Sequence, residues 1–294
     1  MAQIVTVNPR PAFRNSPEFR DYLSEKFKNA PWWVIGIALI AILTAFTIAT
    51  NKLYQDAFNF IKAGISVTIS TTFAAFLCAL VLGLITGLGR ISNSTFFRNL
   101  ATLYVEVIRG VPMLVLIFFI ALVGVPAFVD ALKSLGSFLT ENGMIAMGTW
   151  FSGFQNNVVP MNSRAIIALS VTYGAFLAEI FRAGIQSIGR GQMEAARSQG
   201  MSYWQAMRYI ILPQAIRNVL PALGNDFISM LKDSSLVSVL AVRDVTQIAK
   251  LYAGRSFQYR EAYITLAVMY LTMTVLLSFL MKYIEKRTQK NEQR

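Results

Sequence analysis

Long unbroken apolar runs constrain this chain more than any other feature. Residues 32–50 read WWVIGIALIAILTAFTIAT and residues 114–123 read LVLIFFIALV, with neither the alternation of a half-buried strand nor the one-sided stripe of a surface helix. Charged residues make up only 14% of the chain, against about 25% in an ordinary soluble domain. Runs of this kind predict helices that cross a membrane, and so an all-α membrane protein.

Six runs reach the roughly 20 residues that a crossing helix needs: 32–50, 63–88, 100–123, 164–188, 219–241 and 262–283. Trp32 and Trp33 are expected as interface anchors of the first. An even number of crossings puts both termini on one side, and charge says which. Arg10, Arg14, Arg20, Lys26 and Lys28 precede the first run, and Arg90 and Arg98 follow the second. Arg190, Arg197, Arg208 and Arg217 lie in or beside the loop after the fourth, and Lys282, Lys286, Arg287, Lys290 and Arg294 close the chain. Sixteen of the 27 basic residues thus share one side, which the positive-inside rule makes cytoplasmic. Lys133, Arg243, Lys250, Arg255 and Arg260 fall on the other. The net charge of +12 is therefore read as membrane topology and not as a nucleic-acid footprint.

Several classes of chemistry are excluded. The chain has no histidine and a single cysteine, Cys78, so neither a disulfide framework nor a Cys/His metal site is available. Cys78, inside an apolar run, is expected to be a small packing residue. There is no GxxxxGK[ST] phosphate loop, and without histidine no Ser/His pairing. The chain is not expected to be an enzyme itself, to hold a metal or to carry a cofactor. No cleavable signal peptide is expected, because a charged tail of about 30 residues precedes the first run, and no repeat of solenoid length is visible. Gly83 and Gly87 form a GxxxG pattern, which either marks close approach of two helices or is a chance glycine pair in an apolar run. Residues 124–162, on the outer side, mix Gly, Pro and Asn with apolar patches; a surface helix, a re-entrant piece and a folded loop all fit.

The polar loop between the fourth and fifth runs carries the strongest pattern, EAARSQGMSYWQAMRYIILP at 194–213. Glu194 lies near the start of a short helix, where the helix dipole favours a carboxylate. Ala195 and Ala196 are small enough for another surface to approach. Gly200 permits a left-handed turn that ends this helix. Ser202 can cap a second short helix, on which Tyr203, Trp204 and Met207 offer apolar contacts. Pro213 is expected to interrupt the helical hydrogen bonding before the next span.

This loop closely resembles the EAA loop of ABC importer permeases, through Glu194, Ala195, Ala196, Gly200, Ile210, Leu212 and Pro213. The resemblance extends to permeases for polar amino acids. Tyr104, Val105 and Glu106 with Arg109, Gly110 and Pro112 resemble their YVE–RG–P stretch. The run from Ala178 to Ile185 resembles their AE–RGGI stretch, with Ala183 where glycine is common. LPQA from Leu212, LPAL from Leu220 and LKDSSL from Leu231 resemble further signatures, with Ser234 in place of threonine. The resemblance implies a type I ABC importer transmembrane domain at 61–284, preceded by a basic cytoplasmic tail at 1–30 and an additional span and connection at 31–60. The segment 124–162 would be an external insertion, 190–213 the cytoplasmic coupling loop and 285–294 a basic cytoplasmic tail. It implies a bacterial inner-membrane protein that pairs with a second permease, either itself or a sister chain. It also implies ABC ATPase subunits that bind ATP and Mg and dock on the loop, an extracytoplasmic binding protein, and a polar amino acid as cargo. Glu194, Ala195, Ala196, Gly200, Trp204, Ile210, Leu212 and Pro213 would be the ATPase-coupling residues.

Ionisable groups within spans are costly and mark candidate path residues. Glu179 lies about 22 Å along the fourth run at helical rise; it either lines the path or pairs with Arg182 at i, i+3. Tyr173 fits core packing or contact with an amphipathic solute. Lys232 and Asp233 face an aqueous cavity or lock two helices together. Glu106 and Arg109 are expected to pair with each other. A permease for an opine or a sulfur amino acid, a secondary transporter or channel, and a non-transporting membrane scaffold are the alternative readings.

Overall fold

A computed structural model describes residues 32–290; the expectations for the basic tail at 1–30 and for the last four residues lie outside the described residues. Helix α1, Trp32–Thr50, ends a first unit, and the chain from Asn51 forms a second. In that second unit Asn51 opens α2, Lys52–Ile61, its side chain accepting from the Leu53 amide at 3.0 Å. Tyr54, Ala57 and Ile61 recur at helical spacing and are buried. A 3₁₀ turn, Lys62–Gly64, leads without a break into α3, Ile65–Arg90, so the second expected span begins earlier than position 63.

Helix α3 is built inside out relative to a soluble helix. Its buried stripe is small or hydroxylated: Thr68, Thr71, Thr72, Ala75, Ala79, Gly83 and Gly87. Its outer face shows Ile69, Phe73, Leu77, Val81 and Ile85. With apolar solvent outside, large side chains gain nothing by turning inward, whereas small ones let backbones meet. They do so against α8, Met161–Gln186: a Cβ on Gly83 would stand 2.7 Å from Leu177 Cβ, and one on Gly87 3.0 Å from the Ala178 carbonyl oxygen. The GxxxG pattern is thus a helix–helix seam. Cys78, by contrast, is exposed on the outer apolar face of α3 and is not packed within the chain.

The third expected span, 100–123, is not one helix. Helix α4 runs Thr95–Gly110, Val111 is extended, and α5 starts at Met113 behind Pro112. The residue before a proline is pushed out of the helical region, and Pro112 itself has no N–H to continue α4. From α5, Met113–Phe119, a π turn at Ile120–Gly124 continues into α6, Val125–Glu141. The inserted segment therefore starts as the continuation of a crossing helix. It then turns at Gly143, φ +82°, into α7, Ile145–Ser152, which packs back on α6. Arg164 secures this region, donating to the carbonyls of Ala121, Asn156 and Val159 at 3.1, 2.7 and 3.0 Å.

After α8 come two short helices, α9 (Arg190–Ser198) and α10 (Tyr203–Ala206), then a π turn at Met207–Ile211 and α11, Leu212–Asp233. A 3₁₀ segment, Ser234–Leu240, precedes α12 (Val245–Ser256) and α13 (Tyr259–Lys290). Among the described residues, four helices are long and apolar enough to cross a membrane: Lys52–Arg90, Met113–Glu141, Met161–Gln186 and Tyr259–Thr288. The expected fifth span falls outside this set because α11 carries Arg217, Asp226, Lys232 and Asp233, and α1 contributes a shorter apolar stretch, Leu39–Thr50. The arrangement is all-helical among the described residues and consistent with six crossings.

Candidate functional site

The loop at 190–213 is a pair of short helices with a defined corner. At the end of α9, the Met201 amide donates to the Ala196 carbonyl at 3.2 Å and the Gly200 amide to that of Arg197 at 3.0 Å. These two bonds form a Schellman turn, which places Gly200 at the left-handed position, φ +83°. Ser202 then opens α10 with a capping box: its hydroxyl accepts from the Gln205 amide at 3.2 Å, and the Gln205 side chain accepts from the Ser202 amide at 2.8 Å.

One side of this pair is anchored and the other is open. Met193, Met207, Ile211 and Ala215 pack with Leu88 at the end of α3 and with Ile185 and Ile188 at the end of α8. Ala196 is buried, whereas Glu194 and Ala195 are exposed and Trp204 is 75% exposed. Ile210 and Leu212 are half-buried against the anchor, and Pro213 is exposed. The α-helical hydrogen bonding is interrupted ahead of Pro213, which has no N–H to donate, but the helical path is not broken. The wider π turn at Met207–Ile211 takes up the register, so the missing proline N–H is accommodated and the helical path continues from α10 into α11. The exposed face is thus joined to α11 by a continuous helical path.

Of the path candidates, Glu179 is fully occupied by arginines. Its Oε2 accepts from Arg182 Nε at 2.8 Å, the expected i, i+3 pair, and its Oε1 accepts from Arg90 at 2.5 Å and from Arg109 at 3.1 Å. Glu106 does not pair with Arg109 as expected: it lies 3.8 Å from Arg90, while Arg109 turns to Glu179 and places its guanidinium 5.8 Å from the Phe176 ring. The network joins α3, α4 and α8. Arg90, read in the sequence only as a topological charge, is its most buried arginine.

Tyr173 and Asp233 are brought together, phenol to carboxylate at 2.7 Å, and Tyr173 also lies 6.1 Å from Phe176, ring to ring. Lys232 is exposed and takes part in no hydrogen bond or ion pair among the described residues, so it does not share this site. Sequence reasoning missed Asp244. Buried at the start of α12, it accepts from the Gln247 amide at 2.8 Å and from the Tyr270 hydroxyl at 3.3 Å, and Thr68 of α3 caps the neighbouring Val245 amide at 3.1 Å. Its signal was local: Asp244 with Gln247 three positions on has the form of a capping box. No group of acidic, cysteine or histidine side chains suited to a metal occurs among the described residues.

Residues 79–290 match the family described as the inner membrane component of binding-protein-dependent transport systems. The chain belongs to that family. This permease is 37% identical over 236 residues to a probable glutamine ABC transporter permease of Bacillus subtilis (strain 168), covering 80% of this chain and 96% of the relative. It is 30% identical over 233 residues to an arginine transport system permease of the same organism, covering 79% and 94%. Among solved structures, the permease resembles an amino acid ABC transporter crystallised with histidines, at 37% identity and a TM-score of 0.62, covering 78% of this chain and 94% of that one. It is a transport subunit of the ABC importer class, and ATP hydrolysis in this family belongs to a separate subunit.

Proposed function

We propose that the permease carries a polar amino acid inward across the bacterial cytoplasmic membrane, both termini on the cytoplasmic side. It works with a second permease, two ABC ATPase subunits that bind ATP and Mg, and an extracytoplasmic binding protein. The observation that carries this reading is the loop at 190–213: an apolar, exposed face at Ala195 and Trp204, cornered by Gly200 and continuous by helix with α11. Closure of the ATPases against that face displaces α11 relative to α8. The two helices approach closely there, since a Cβ on Gly184 would stand 3.4 Å from the Ala215 carbonyl oxygen and nearer still to the Val219 side chain. The ATPase state thereby biases one access state over the other, which is all that coupling requires. The names of the relatives support an amino acid as cargo.

The test is ATP hydrolysis in proteoliposomes holding this permease, its ATPase and a cognate binding protein, with a panel of amino acids. Hydrolysis stimulated by one amino acid, together with its accumulation, is the expected result. A complex that assembles but is stimulated by none sinks the reading.

A further inference from the structure

We infer that Arg109 receives the carboxylate of the transported amino acid, with the Phe176 ring as the apolar wall beside it; the inference rests on the amino-acid permease reading above. Helix α4 presents three faces. Ala101, Tyr104, Val105 and Ile108 turn inward, Tyr104, Val105 and Ile108 packing with Ala175 and Ala178 of α8. Phe96, Leu100, Leu103 and Val107 recur at i, i+4, i+7 and i+11 as an exposed apolar stripe, the composition that suits lipid. Asn99, Thr102, Glu106 and Arg109 recur at i, i+3, i+7 and i+10 as a third stripe, polar and open to different degrees. A polar, charged stripe beside an apolar one belongs on water and not on hydrocarbon, so this face of α4, just before the crossing helix that begins at Met113, borders an aqueous space.

Arg109 ends that stripe with donors to spare. A guanidinium offers five N–H groups, and a single bond, from Nη1 to Glu179 Oε1 at 3.1 Å, engages this one. Arg90 and Arg182 take the shorter bonds to Glu179, and Arg109 has the most exposed side chain of the three, 43% against 13% and 33%. Three arginines face two carboxylates, one of which, Glu106, is largely open and reaches only Arg90. The cluster therefore carries one surplus positive charge, located by exposure on Arg109. A carboxylate is the planar anion that an arginine fork binds in two places. The partly exposed Phe176 ring, 5.8 Å from the same guanidinium, gives the ligand's carbon skeleton an apolar surface. Glu179 is a positioning residue: saturated by arginines, it aims Arg109. Such a site recognises the backbone acid that all amino acids share, and so sets the class of cargo and not its side chain.

The test is saturation-transfer NMR on the permease–ATPase complex in lipid nanodiscs, without binding protein. The probes are the standard L-amino acids and, for each that binds, its primary amide and its decarboxylated amine. The wild type is expected to bind the acid at least about tenfold more tightly than the amide or the amine, the scale of a charge-assisted hydrogen-bond pair. Arg109→Gln lowers acid binding to the amide level. Arg109→Lys, which keeps the charge beside Glu179 but loses the fork, falls between, and keeps the test decisive if the glutamine variant fails to fold. Phe176→Leu weakens the acid without improving the amide. Equal binding of acid and amide, no binding of any amino acid, or full acid affinity in Arg109→Gln overturns the assignment. ATP hydrolysis stimulated by loaded binding protein is measured on the same preparations. If stimulation is present and the acid–amide distinction absent, only Arg109 is wrong; if stimulation is absent throughout, the transport reading falls with it.

Discussion

Tyr173 in α8 donates a 2.7 Å hydrogen bond to Asp233 Oδ2 at the last residue of α11, tying a buried phenol to the point where that helix tightens into a 3₁₀ segment. The bond spans two helices that the coupling loop would move relative to one another. Tyr173→Phe removes the donor and keeps the ring. It should lower the stability of the purified complex by about 1.5–3 kcal/mol, the scale of a lost bond to a charged group. It should also raise ATP hydrolysis that is not stimulated by binding protein, because one access state loses a restraint. Thermal unfolding in detergent and basal ATPase rates check both; an unchanged melting temperature would mean the bond contributes nothing.

Gly200 closes the Schellman turn at φ +83°, with nothing within 4 Å of where a Cβ would sit. Space is therefore not the constraint; backbone conformation is. Gly200→Val forces a β-branched residue into the left-handed region, at a local cost of about 1–2 kcal/mol. The corner between α9 and α10 should open, with stimulated ATP hydrolysis lost while the spans stay folded. Gly200→Asn, a residue that tolerates this region, should retain most of the coupling. Equal loss in both variants would point to side-chain exclusion at the docking face.

How much of this was legible in the sequence depends on how local the physics is. The Gly200 turn, the Ser202 cap and the Gly83–Gly87 seam follow from rules acting within a few residues, and each was readable. The Val111–Pro112 break was also locally encoded, but the apolar run across 100–123 masked it. Hydropathy likewise did not separate a continued helix from a surface loop in 124–162, because both present the same composition. The Glu179 cluster was half legible: Arg182 lies one turn away, but Arg90 and Arg109 arrive from other helices, 89 and 70 positions distant. Pairing at that range is decided by how α3, α4 and α8 pack, and that packing is set by small residues such as Gly83, Gly87 and Gly174.

The seam between α3 and α8 gives a prediction about assembly. A Cβ at Gly83 would meet Leu177 Cβ at 2.7 Å and the Ala178 amide nitrogen at 3.2 Å, so neither atom can yield without moving a helix. Gly83→Leu should destabilise the permease by at least about 2 kcal/mol through overpacking, read as a lower melting temperature and reduced recovery from membranes. Gly191→Ala, in α9 with open space around it, should leave both measurements unchanged. Similar recovery of the two variants would show that the helices separate freely.

Glu179 provides the last prediction, and the geometry reverses the simplest expectation for an intramembrane carboxylate. A carboxylate that selects cationic cargo must have an oxygen free for it, yet both oxygens here are taken, by Arg90, Arg109 and Arg182. Glu179→Gln should therefore reduce uptake of cationic and neutral amino acids by the same factor, through a disordered cluster, and should also lower the melting temperature. Three guanidiniums left with the neutral amide and the open Glu106 carboxylate, which reaches only Arg90, repel one another, so adding Arg182→Gln to Glu179→Gln should recover part of the lost stability, a coupling that a double-mutant cycle measures. Uptake assays with one cationic and one neutral substrate decide the matter. A selective loss of the cationic one would mean that Glu179 exchanges an arginine for cargo during the cycle.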